Sequence, residues 1–171
     1  MSTPEDQIAA PVGHTGKPAA STARYARKKQ AIVAAASAIL NREGVKGMTL
    51  ANVATRVGLI TTSVTYYFKK KEDLAVACFL EGIERLDEII TQALQEPAAR
   101  PRLRRLLELW LELNRRIATG EAPPLAMFND IRTLQKPQRE TVLEAYMRFF
   151  AKVRSLFGDT EFPVLDRKSV V

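Results

Sequence analysis

One cysteine, one histidine and one tryptophan are all that the 171 residues contain. A lone Cys78 builds neither a disulfide framework nor a cysteine metal cluster, and it suits a reduced cytoplasmic setting. His14 has no second histidine with which to make a ligand pair or a proton relay. No paired-carboxylate motif, Gly-rich phosphate loop or metal-ligand spacing occurs either, so no catalytic residue, metal or cofactor is assigned. No apolar run approaches the ~18 residues that a membrane span needs. The first twenty residues lack the apolar block of a secretory leader. Period-two alternation is also missing, which excludes half-buried strands and leaves an all-α fold.

Positive charge is what the chain has in excess, and it is concentrated. Arg24 to Cys78 holds ten Lys/Arg against three Asp/Glu. The remainder is close to neutral, while the whole carries a formal charge of +7. A basic segment on a neutral body is the footprint of a polyanion partner. The basic excess does not lie on one long amphipathic face, which argues against a membrane surface.

The pattern along the chain divides it into four parts. Residues 1–22, rich in Pro, Ala, Gly, Ser and Thr, read as a disordered tail. Residues 23–70 read as three helices. Ile32, Ala36, Ile39 and Leu40 share one face of the first, which Gly44 and Gly47 end. Thr49 is placed to cap the second, whose inward face is Leu50, Val53, Ala54 and Val57. Gly58 stops it, and Thr61 or Thr62 is placed to cap the third, with Val64 and Phe68 in the core. Two short helices around a glycine turn have the form of a helix-turn-helix. Residues 71–160 read as a helical effector-binding and dimerisation domain. A long helix runs from Lys71 to about Gln95, and a fifth, about Arg102 to Thr119, carries Leu103, Leu106, Leu107, Trp110, Leu111, Asn114 and Ile117. A sixth is expected over Leu125, Phe128, Ile131 and Leu134, and Pro137 opens a seventh. Residues 161–171 read as an irregular tail.

From Arg27 to Leu74 the chain resembles the TetR family of bacterial transcription regulators. The resemblance rests on Gly44, Thr49, Val53–Ala54, Val57–Gly58, Tyr66–Tyr67–Phe68 and Lys71–Glu72–Asp73–Leu74, in that order and at the family's spacing. Two positions depart from it. Ile60 stands where a small polar cap of the recognition helix is usual, and Tyr67 stands where His is frequent. The resemblance implies a ligand-responsive regulator, a repressor in the family's usual manner, that binds a palindromic double-stranded operator as a homodimer in the bacterial cytoplasm at the nucleoid. It implies a small-molecule effector of unknown identity. Family members usually continue for two more long helices that form the dimer interface, whereas this chain stops at Val171, so the expected dimer has no assigned interface. The alternative is a truncated or dimerisation-impaired helix-turn-helix protein that acts weakly on DNA or through a protein partner.

The DNA-contacting residues follow from position and chemistry. Arg24, Arg27 and Lys28 form a basic start to the first helix. Thr61, Thr62, Ser63, Thr65 and Tyr66 offer hydroxyls and methyls to bases, with none of the Arg or Gln forks that read purines in pairs. The resemblance implies that Lys71 and Tyr67 meet phosphate, Arg56 is expected at the edge on phosphate or base, and Thr49 is counted with the DNA-binding residues. Trp110, Asn114, Met127, Phe128, Tyr146 and Phe150 are the candidate lining of an effector cavity, each also suited to plain core packing. An enzyme in the C-terminal half is the least supported reading.

Overall fold

The structure, a computed structural model, describes residues 18–158. Six α-helices follow in order: α1 Pro18–Gly47, α2 Leu50–Arg56, α3 Thr61–Tyr67, α4 Lys71–Ala93, α5 Ala99–Ala118 and α6 Lys136–Arg154. Short 3-10 turns lie at Phe128–Thr133 and Ser155–Phe157. No strand occurs among the described residues, so the fold is all-α. Met1 to Lys17, with His14, and the expected tail 161–171 lie outside the described residues.

Residues 18–22 belong to α1 and not to a leading tail. Pro18 suits a first helical position, where no N–H is needed, and Ala19 and Ala20 are the strongest helix formers. At its other end α1 breaks at Gly44, whose φ of 69° and ψ of 176° suit glycine alone. Thr49 caps α2 as expected, accepting from the Asn52 N–H at 3.1 Å. The α3 cap differs from expectation. Its N-cap is Ile60, which makes no side-chain cap bond, so neither threonine hydroxyl performs that task. Gly58, at φ 69°, turns the chain between the two helices.

The core does not divide at residue 70. One buried cluster runs from Ile32, Val33 and Ile39 of α1 through Val53, Val64 and Phe68 to Leu74, Phe79 and Ile83 of α4, and on to Val142 of α6. A smaller cluster of Ile90, Ala93 and Leu156 closes the far end. Lys152 ties α6 to α4 through Asp87 Oδ2 and Thr91 Oγ1, both at 2.5 Å.

Two sequence expectations about the C-terminal half need correction. The sixth helix over Leu125 to Leu134 is instead an extended strap followed by the 3-10 turn. Pro123 and Pro124 disfavour helix there, and side chains satisfy the backbone that a helix would have paired. Asn41 Nδ2 donates to Leu125 O at 2.7 Å, and Met127 N donates to Asn41 Oδ1 at 2.8 Å. In α5 the expected apolar face mixes two faces. Leu113 is buried and Leu106, Leu109 and Ile117 are half-buried, whereas Leu107, Trp110, Leu111 and Asn114 face outward. Both stripes have helical spacing, so periodicity alone could not choose between them.

Cys78 is enclosed beneath α1, its thiol 3.6 Å from Val33 O. Burial pushes its pKa up to about 12 from 9.0. A maleimide should therefore leave the native protein unlabelled at pH 8 and label it fully in denaturant. The unfolded thiol ionises above pH 9 while the folded one holds its proton. Stability should thus fall as pH rises from 9 towards 12, by at most about 1.4 kcal/mol per pH unit from this group. Rapid labelling of the native state would contradict the buried thiol.

Candidate nucleic-acid interface

α3 presents one face to the core through Val64 and Phe68 and turns the other outward. On the outer face Thr61 and Thr62 are exposed, and Ser63 and Thr65 half-buried. Tyr66 is 67% exposed and Ile60 71% exposed, a high value for such side chains in a folded core unit. Thr65 spends its hydroxyl proton on Thr62 O at 2.9 Å, which leaves its methyl and oxygen lone pairs for a partner.

The first turns of α1 lie beside this helix. Tyr25 packs on Tyr67 with ring centroids 4.7 Å apart and edge-on to Tyr66 at 6.1 Å. Tyr66 and Tyr67 are themselves edge-to-face at 5.2 Å. Lys28, Leu59, Thr62, Ser63, Tyr66 and Tyr67 surround a hollow of about 300 Å³. Arg24 and Arg27 are exposed on the same early turns, and Lys29 sits 5.8 Å from the centre of the Phe68 ring. Sequence reasoning missed Tyr25 and Ile60. The signal for Ile60 was present, because a large aliphatic side chain at a helix start has no capping role.

Thr49 and Arg56 are exposed at the start and last turn of α2. Lys71 is placed differently from a free phosphate ligand. Its ammonium donates to Val45 O at 3.1 Å and Lys46 O at 3.0 Å, tying the end of α1 to the start of α4. An ammonium has three protons, so one remains for an outside acceptor.

The end of α1 is gripped from the C-terminal half as well. Asp130 Oδ2 accepts from Val45 N at 2.9 Å, and Asn41 holds the strap at Leu125 and Met127. The segment that clasps α1 thus also forms the crossing from α5 to α6.

The six candidate effector residues are not gathered around one cavity. Phe128, Tyr146 and Phe150 pack ring against ring at 5.4 and 4.8 Å, and Phe128 stacks on the buried Phe79 at 5.6 Å. Trp110 and Met127 are surface residues, 41% and 57% exposed. Asn114 is exposed too and donates to Trp110 O at 2.8 Å within its own helix. A larger hollow lies on the other side of α4. It is a groove of about 660 Å³ walled by α4, α5 and the start of the strap, with Gln30 of α1 at its edge.

Residues 32–78 match the family model of bacterial regulatory proteins of the tetR family. Several solved structures share the fold. A TetR-family regulator from Bordetella parapertussis superposes with a TM-score of 0.62 at 21% identity, over 75% of this chain and 66% of that one. The TetR-family regulator PfmR from Thermus thermophilus gives 0.59 at 19% identity, over 73% and 67%. The fatty acid degradation regulator FadR from Bacillus halodurans gives 0.56 at 19% identity, over 75% and 67%. The chain thus spans about two thirds of the length of these relatives. No curated protein matches it significantly. The helix-turn-helix segment is thus similar to that of the tetR family of bacterial regulatory proteins. No helix among the described residues is long and apolar enough to cross a membrane.

Proposed function

We propose that the protein is a ligand-responsive repressor that binds a palindromic operator as a homodimer, in the cytoplasm at the nucleoid. The observation that carries this reading is the outer face of α3, rich in hydroxyls and methyls and flanked by the exposed cations of early α1. Arg24, Arg27 and Lys28 neutralise phosphates beside the groove that α3 enters. Thr49, Arg56, Tyr67 and the remaining donor of Lys71 hold the register at its edges. Thr61, Thr62, Ser63, Thr65 and Tyr66 read base edges, and Ile60 adds an apolar contact for thymine methyls. Each good base contact discriminates by about 1–3 kcal/mol.

The test begins by selecting duplexes from a random library with the wild-type protein. Binding of the selected duplex should fall steeply with salt, since each neutralised phosphate adds about 0.9 to the logarithmic slope. Arg27→Ala or Lys28→Ala should lower that slope by about 1 and weaken all sequences alike. Ile60→Ala or Thr62→Ala should keep the slope and relax one position of the selected site. A shallow salt dependence, or enrichment of no sequence, would sink the reading. Selection of single half-sites by a sedimenting monomer would remove the dimer and leave the impaired form.

Tyr25 acts here as a positioning residue, through Tyr66 and Tyr67. Tyr25→Phe keeps the ring contacts and should bind the selected duplex within about twofold of wild type. Tyr25→Ala should bind roughly tenfold more weakly, about 1.4 kcal/mol, in line with aromatic pair energies of about 0.5–1.5 kcal/mol each. The salt slope should stay the same in both. Equal affinity of all three proteins would show that the ring contacts do not order α3.

A further inference from the structure

We propose that the outer stripe of α5 is the face on which a second copy of this chain docks, α5 against α5 and antiparallel, across a two-fold axis. The inference rests on the homodimer reading above and supplies the interface which that reading lacks. α5 carries two apolar stripes. Leu106, Leu109, Leu113 and Ile117 turn inward and are buried or half-buried. Leu107, Trp110 and Leu111 turn outward at i, i+3 and i+4, with the two leucines 61% and 66% exposed. Half-buried Leu103 continues this outer stripe one turn earlier. Large apolar side chains exposed singly are ordinary, but three within two turns of one helix form a patch that marks an interaction site. The chain's one tryptophan lies in that patch, and Trp is among the side chains that most often anchor an interface.

The charge along α5 selects the occupant and its direction. Residues 99–107 hold Arg100, Arg102, Arg104 and Arg105 and no acid, a charge of +4. Residues 108–121 hold Glu108, Glu112 and Glu121 against Arg115 and Arg116, a charge of −1. Parallel copies would set the two basic halves on each other. Antiparallel copies set each basic half on the other's acidic half, and a two-fold axis forms every such pair twice. Let the axis pass through the middle of the stripe, between Leu107 and Glu108. Leu107 and Leu111 then interdigitate with their copies. Arg104, Glu108 and Arg115 run along one edge of the stripe, at i, i+4 and i+11. On that edge Arg104 stands about one turn, roughly 5 Å, from the partner's Glu108, within the reach of an arginine. Within its own chain Glu108 meets Arg105 at 3.4 Å, an exposed pair that leaves an oxygen for the second copy. Arg100 faces the partner's Arg115. Glu112 and Glu121 each hold Arg115 at 2.8 Å, so that group as a whole is negative and accepts a further cation.

The size of the face sets the strength of the contact. From Arg100 to Arg115 the stripe is about 22 Å long, and a helix face is about 10 Å wide. Such a strip falls short of the ~800 Å² per partner that a standard interface buries, so the dimer has a roughly micromolar Kd. Adjacent half-sites on one duplex raise the effective concentration of the two copies and complete a contact of that strength.

Sedimentation equilibrium of the full chain without DNA, over about 1–100 μM, tests the inference. Fluorescence of Trp110, the chain's one tryptophan, gives a readout local to the face. Wild type should pass from monomer to dimer in this range, while the Trp110 emission moves to the blue and acrylamide quenches it less. Leu107→Gln/Leu111→Gln should weaken the dimer at least tenfold and abolish the emission shift. Both leucines are exposed, so that variant should fold, which a circular dichroism melt checks. Arg104→Glu should weaken the dimer about tenfold, and Arg104→Glu/Glu108→Arg should return it to within about threefold of wild type. A dimer indifferent to the leucine and arginine substitutions alike overturns α5 as the interface and leaves the homodimer reading standing. A dimer that Arg104→Glu strengthens overturns the antiparallel arrangement. Trp110 shielded from acrylamide equally at every concentration means that the face is covered within one chain, and overturns the inference. A monomer throughout the range overturns it as well. The selected duplex then reports separately on the homodimer reading, as one half-site or two.

Discussion

Gly44→Ala should destabilise the protein by roughly 3 kcal/mol, a large loss for one methyl group. Two costs combine. The backbone at φ 69°, ψ 176° lies in a region that is essentially confined to glycine, and holding another residue there costs about 1–3 kcal/mol. A Cβ built on Gly44 also overlaps Asp130 Oδ2, the atom that accepts from Val45 N. To make room Asp130 must withdraw and leave a part-buried N–H without its acceptor. Hydrogen bonds to charged groups are worth about 1.5–3 kcal/mol, less here because the site is only partly buried. Urea denaturation measures the sum. Asp130→Ala separates the two costs, since it removes the bond and the overlap but not the strain. Gly44→Ala in that background should cost less than it does alone, and the non-additivity should be about 1 kcal/mol. Simple additivity would mean that Asp130 does not sense residue 44. The position joins the DNA-binding unit to the C-terminal half, so duplex affinity should fall along with stability.

Gly44 also shows how far the chain can be read without coordinates. A glycine at the end of an amphipathic run announces a helix stop, and that much is legible. Its second requirement, space for Asp130, comes from a residue 86 positions away and leaves no local trace. The same division holds elsewhere. Val64 and Phe68 are legible as core because two apolar side chains at i and i+4 in a polar helix have one plausible destination. α4 is legible because its acidic first turn and continuous apolar stripe agree. α5 is only half legible, because two apolar stripes of equal period compete and only the packing of α4 decides which is buried. The strap reads as a helix in sequence because Leu125, Phe128, Ile131 and Leu134 keep helical spacing. The Pro123–Pro124 pair and the polar clasp from Asn41 outweigh that spacing. Position alone finds the outward residues of α3, yet it misses Tyr25, whose contacts cross between two helices.

Phe79→Ala should cost about 3–5 kcal/mol, among the largest effects expected of a single truncation among the described residues. Phe79 is wholly buried and is among the largest side chains to be so. It belongs to the cluster that joins α1, the α2–α3 unit and α6, and its ring stacks on Phe128 at 5.6 Å with an interplanar angle of 21°. Removing the ring forfeits its transfer free energy and opens a cavity that the rigid helices around it cannot fully close. Phe79→Leu keeps most of the volume and should cost about half as much. Phe150→Ala lies at a half-buried position in the same chain of rings, so a smaller loss, about 1–2 kcal/mol, is expected there. The denaturation midpoint should move without a change in slope if unfolding remains two-state. Phe128 sits in the 3-10 turn that carries Asp130, so hydrogen exchange at Val45 should accelerate in Phe79→Ala more than in Phe150→Ala at matched stability. Equal acceleration in the two variants would show that Phe79 stabilises the fold as a whole without specifically holding the clasp.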